Sequence, residues 1–151
     1  MKYLISAIFC LLSVSTFAQI DQTKEIETAQ KFGEYTIHYN VFNSSIIAPK
    51  VAEAYKLVRG TDRAIVNISF TKTEDGITTL GLPAVVLGST QNLMQQQQKL
   101  TFIEIKEGDA TYYLAPFVFN NEELLHFDIQ VQNAPDAEPM QIKFTRTLYR
   151  D

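Results

Sequence analysis

Two histidines offer the most versatile chemistry in this chain, and each has a polar neighbour two residues on: His38 with Asn40, and His126 with Asp128. Histidine is the commonest metal ligand and titrates close to neutral pH. Strands that brought these four side chains together would create a partial metal site or an acid–base pair. Two imidazoles complete no ordinary coordination shell without carboxylates or water, and histidines facing solvent or bonded into a side-chain network are the competing reading. His38, His126 and Asp128 are the metal candidates on this reasoning.

Other chemistries lack their signatures. Gly88-Ser89-Thr90 does not make the G-x-S-x-G elbow of a serine hydrolase. The chain also contains no HExxH zinc motif, no glycine loop for phosphate and no calcium-loop spacing. Glu104 with Glu107, or Glu122 with Glu123, would be the carboxylate pairs of a glycoside hydrolase. Such pairs are common on exposed strands and loops. No catalytic residue and no cofactor is expected, and a non-enzymatic role is favoured.

Aromatic side chains are more suggestive of binding. With no Trp, seven Tyr and ten Phe, the chain concentrates aromatics in residues 112–119, where they alternate over both faces of one strand. Tyr113, Phe117 and Phe119 suit the core, leaving Tyr112 to line a groove or a partner surface, or to be buried as well. Together with His38, Asn40 and Asn43 it makes up the expected binding surface.

The address of the protein is read from residues 1–18. Lys2 is a positive n-region, residues 3–14 an apolar h-region, and Thr16-Phe17-Ala18 places small residues at the −3 and −1 positions of a cleavage site before Gln19. The apolar run is shorter than the roughly 20 residues that span a bilayer, so export with cleavage between Ala18 and Gln19 is expected, with no membrane span afterwards. Cys10, the only cysteine, leaves with the signal and bulky Phe9 before it argues against lipidation. The mature domain then has no disulfide and must hold itself together by packing. A net charge of −4 argues against nucleic acid, which draws clustered Lys and Arg. Lys50, Lys56, Arg59 and Arg63 form the one locally basic stretch, diluted by Glu53 and Asp62, and suit a solvated face.

The elements that must position these residues are mostly strands. Residues 19–33 read as a partly ordered leader and 34–151 as one domain. Tyr35, Ile37, Tyr39 and Val41 alternate with Thr36, His38 and Asn40, and Ala64, Val66, Ile68 and Phe70 mark another inward set. Asp75-Gly76 predicts a tight turn leading to residues 77–82, making a hairpin. Residues 84–87 suggest a short edge strand or bulge after Pro83, and Gln95 to Gln98 a polar tract. Further strands are expected over 100–106, 111–119, 124–131 and 140–149. One short helix is expected near 49–59, starting at Pro49, burying Val51, Tyr55 and Val58, and closing at Gly60. About seven or eight strands with one helix predict an all-β fold, an antiparallel immunoglobulin-like β-sandwich, with a small barrel as the alternative.

The segments 35–45 (YTIHYNVFNSS), 49–55 (PKVAEAY) and 63–69 (RAIVNIS) resemble a family of small exported gammaproteobacterial proteins classed as a domain of unknown function. Residues 100–107, 110–113 and 144–149 are similar to it too. This resemblance implies a periplasmic setting in a Gram-negative cell and assigns no catalytic residue. The reading that follows is a periplasmic binding or accessory module contacting an envelope protein or ligand. The alternative is a metal- or small-ligand-dependent activity using His38 with His126 and Asp128.

Overall fold

The structure is a computed structural model that describes residues 26–151, so the signal segment lies outside the described residues. Strands β1 (Ala29–Phe32), β2 (Tyr35–Asn43), β3 (Arg63–Glu74), β4 (Ile77–Thr78), β5 (Val85–Asn92), β6 (Gln97–Leu100), β7 (Ile103–Glu107), β8 (Ala110–Val118), β9 (Glu123–Gln132) and β10 (Met140–Leu148) follow one another. A 3-10 turn (Ser44–Ile46) and helix α1 (Pro49–Ala54) interrupt them after β2. All pairings are antiparallel, in a six-stranded sheet ordered β1-β2-β3-β8-β7 with β4 against β3, and a four-stranded sheet ordered β10-β9-β5-β6. This is the all-β sandwich that the alternation predicts. The strand number is larger than expected because β1, β4 and β6 are short and carry little pattern of their own.

The core lies between the sheets. Ile37, Tyr39, Ile68 and Phe70 face Phe127, Ile129, Val131 and Ile142, all nearly inaccessible to water. A column of rings crosses the interior: Tyr39 stacks on Phe144 at 4.5 Å, Phe144 on Phe127 at 4.7 Å, and Phe117 meets Phe127 edge-on at 5.5 Å. Offset and edge-on contacts of this kind add to plain area burial. Tyr113 and Phe119 join the core as expected, and Tyr113 accepts the Ala84 N–H at 2.7 Å while donating to Glu104 at 3.2 Å.

Four local expectations are corrected. Helix α1 ends at Ala54, not near residue 59, because Lys56 takes a left-handed conformation (φ 54°). The Leu57 N–H then reaches the Ala52 carbonyl at 2.7 Å and the Lys56 N–H reaches Glu53 at 3.2 Å. These two bonds are a Schellman closure, whose apolar contact is the buried pair Ala52 and Leu57. Val51 and Val58 are consequently exposed. Second, β5 is central in its sheet, flanked by β9 and β6. Third, the run expected as one strand over 100–106 is two, and the chain changes sheets at Thr101 and Phe102. Gln97 and Gln98 of the polar tract belong to the first of them. Fourth, the Asp75-Gly76 turn forms, both residues having positive φ, but β4 pairs for only two residues. Residues 79–82 then wedge in beside β3 and β8, with Thr111 donating to Gly81 and Leu82 to Phe70. A Cβ on Gly81 would lie 2.2 Å from the Thr111 carbonyl, so only glycine fits there.

Strand β1 falls inside the segment expected to be a leader. It is mostly exposed and owes its order to β2, on which Ala29 faces His38 and Phe32 faces Tyr35.

Candidate functional site

His38 and His126 occupy different sheets, on strands β2 and β9. Their strand neighbours Ile37, Tyr39, Leu125 and Phe127 are buried between the sheets, so both imidazoles point outward on opposite sides of the sandwich. Stacked sheets are about 10 Å apart, which puts a shared ion or direct proton transfer out of reach. His38 instead bonds Thr71 through Nε2 at 3.0 Å. Asp128 receives Gln141 Nε2 at 2.7 Å and Lys143 Nζ at 3.5 Å. Among the described residues no three His, Cys, Asp or Glu side chains cluster to hold a metal. The convergence of His38 with His126 and Asp128 does not form.

The expected binding surface divides. His38, Asn40 and Tyr112 all lie on the outer face of the six-stranded sheet, but β3 separates β2 from β8. Asn40 is paired across strands with Asn67, whose buried Oδ1 has no hydrogen-bond partner. Asn43 does something else. Its Nδ2 donates to the Tyr149 carbonyl at 2.9 Å and to Asp151 Oδ1 at 2.7 Å, and Ser45 Oγ also donates to the Asp151 carboxylate. The Ser45 and Asn43 bonds hold the Asp151 carboxyl below its usual range. Asn43 therefore fastens the last residues to the end of β2.

A concave feature lies on the other sheet. A groove of about 910 Å³ runs along β9 and β10 and takes in His126, Asp128, Lys143, Phe144, Arg146 and Glu27. Its floor follows from strand pairing: Thr145, His126, Gln91 and Gln97 form one row across β10, β9, β5 and β6, and Lys143, Asp128 and Ser89 form the next. Arg146 closes the β10 side. It shares the alternate set of Ile142, Phe144 and Leu148 rather than the solvent set, and lies 5.1 Å over the Phe144 ring. It donates to the Thr145 and Glu27 carbonyls at 2.7 and 2.6 Å. Charges of both signs thus border a strand, β10, that has no strand partner on its outer side among the described residues. An inward-set charge on an edge strand is a known guard against unwanted pairing. That charge was the available sequence signal for Arg146. Glu27 and Lys143 had none, since their roles depend on strands distant in the chain.

Two carboxylates, Glu27 and Asp128, line the groove, and among the described residues no cluster of three His, Cys, Asp or Glu side chains joins them. A family model, described as Domain of unknown function (DUF4426), matches residues 29–151. A crystal structure of a DUF4426 family protein from Pseudomonas aeruginosa PAO1 is similar at 34% identity and a TM-score of 0.69, covering 82% of this chain and 94% of that one. FetP of uropathogenic Escherichia coli shares the fold at 9% identity and a TM-score of 0.55, over 81% of this chain and 93% of that one. A copper-bound FetP variant gives 8% identity and a TM-score of 0.57, over 81% and 94%. A comparison with curated proteins finds no match.

Proposed function

This chain belongs to the DUF4426 family, and from that premise we propose that it is an exported, non-enzymatic binding module whose β9–β10 groove receives an extended segment of an envelope protein. The observation that carries the proposal is the groove itself, which borders an edge of β10 that no strand pairs among the described residues. Because Arg146 guards that edge against strand pairing, recognition runs through the side chains that line the groove rather than through an added strand. Lys143 beside Asp128, and Arg146 beside Glu27, favour a polar segment bearing charge. Phe144 supplies an apolar contact, its ring half-buried at the groove wall.

Export is supported by the n-region, h-region and Thr16-Phe17-Ala18 triplet. Among the described residues no helix is long and apolar enough to cross a membrane. The FetP structure, of the same fold, came from protein expressed in the periplasm of Escherichia coli.

The test is cross-linking of the full-length chain in Gram-negative cells, with mass spectrometry of what it captures. The expected result is a periplasmic protein of mature N-terminus Gln19 that captures a dominant envelope partner. Reversing charge at Lys143→Glu and Arg146→Glu should abolish that capture. Capture undiminished by both changes would overturn the groove as the binding site. A chain retaining residues 1–18 would overturn export.

A further inference from the structure

The inner face of β5 turns polar towards its end. Val86 packs in the core, but Thr90 and Asn92, further along the same inward set, are polar and only 2% and 9% exposed. They pair across strands with Phe127 and Leu125 of β9, both buried between the sheets, and Thr90 pairs with Gln98 of β6 on its other side. A hollow of about 370 Å³ opens there, at the end of the sandwich, lined also by Asp62, Phe119, Glu123 and Arg150. Its size suits a small molecule.

Two opposite charges line this hollow without meeting. Glu123 Oε1 accepts Asn92 Nδ2 at 3.1 Å and Asn120 Nδ2 at 3.4 Å, and Oε2 accepts the Asn120 N–H at 2.7 Å. Burial favours the neutral acid, but these amides outweigh it and hold the pKa below its ordinary value. The carboxylate is therefore charged while bonded only to neutral donors, and a carboxylate oxygen with one such bond can accept a second. Arg150 is placed from both flanks. Its N–H donates to Asn121 Oδ1 at 2.9 Å, while Asn43 holds the Tyr149 carbonyl and the Asp151 side chain. The guanidinium, with five N–H donors, makes one long contact, from Nη2 to the Phe119 carbonyl at 3.5 Å. Among the described residues neither Glu123 nor Arg150 joins an ion pair, whereas Asp62 has Arg63 at 3.9 Å.

A simple cation would leave Arg150 unanswered, and a simple anion would leave Glu123 so. A molecule bearing an ammonium and a carboxylate answers both, since the guanidinium fork matches a carboxylate in two parallel bonds. We propose that this hollow binds a free α-amino acid, its carboxylate on Arg150 and its ammonium on Glu123, with Thr90 and Gln98 facing its side chain. The site shares only Gln97 with the β9–β10 groove and goes beyond the function proposed for that groove.

Calorimetric titration of the purified full-length chain with each proteinogenic L-amino acid tests this. The expected result is saturable binding of at least one, with a Kd of about 1 mM or tighter. The amide of that amino acid lacks the carboxylate, its N-acetyl derivative lacks the ammonium, and each should bind about tenfold more weakly or worse. Arg150→Gln should remove the preference over the amide, and Glu123→Gln the preference over the N-acetyl derivative. Arg150 is exposed, so Arg150→Gln should keep its thermal midpoint, which separates lost binding from lost folding. Asn43→Ala, which frees the tail, should weaken binding with Arg150 still present. The proposal is overturned if no amino acid binds, if the amide or the N-acetyl derivative binds equally well, or if Arg150→Gln binds as the wild type does.

Discussion

The outer faces of the two sheets are treated differently. On the six-stranded sheet, Ile65 points outward yet is fully buried, because Ala52 and Leu57 of the α1 segment and Leu114 of β8 cover it. Residues 79–82 are wedged beside Thr111 on the same sheet. Among the described residues the four-stranded sheet has no such cover: Leu87, His126, Gln130 and Lys143 point outward and are exposed. A sheet face that is packed over contributes to stability and is closed to partners. One left bare contributes little and is free to bind. The proposed groove belongs to the bare sheet.

The largest test of this contrast is a pair of equal truncations. Ile65→Ala should destabilise the protein by about 2–5 kcal/mol, as loss of a buried branched side chain does, whereas Leu87→Ala should stay within about 0.5 kcal/mol. Urea unfolding measures both, and equal losses would break the comparison. Glycines sharpen it. Gly81→Ala forces a Cβ to 2.2 Å from a backbone carbonyl, while at Gly88 in β5 the nearest atoms are at 3.0 Å. The first should cost about 1–3 kcal/mol, in the range for overpacking, and the second clearly less, read from the same unfolding curves.

Acid sensitivity comes next in size. Burial works to raise the Glu123 carboxyl, but the Asn120 N–H and the Asn92 and Asn120 side-chain amides outweigh it and hold its pKa below the ordinary value. A carboxyl depressed in the folded state gives stability that is complete above its unfolded pKa and lost as pH falls through its folded one. Stability should therefore decline in acid, below about pH 4, and Glu123→Gln should flatten part of that decline. An unchanged pH profile in the variant would remove Glu123 from the explanation. The smallest effect is expected on the bare face itself. His126→Asn should leave stability within about 0.5 kcal/mol, and a larger loss would show that this face is packed by something more than solvent.

Part of this contrast was legible in the sequence. The inner residues of β2, β3 and β8 follow the alternation of Tyr35 to Val41, Ala64 to Phe70 and Tyr113 to Phe119. The near-continuous burial of Ala64, Ile65 and Val66 matches a strand covered on both sides. What covers Ile65 was less legible, because the helix stops at a left-handed lysine where glycine or asparagine is the usual signal. The site was harder still. His126 and Asp128 do line the groove, but the reasoning that joined them to His38 needed β2 and β9 in one sheet.

Local order along the chain thus determined that strands would form, which side chains each would turn inward, and the Asp75-Gly76 turn. A strand's period of two fixes which residues share a face. It says nothing about which strand lies alongside, because that choice is made by contacts between residues far apart in the chain. Only the tertiary structure decided that residues 97–107 divide between sheets, that β10 is an edge and β5 is not, and that His38 and His126 look out from opposite sides.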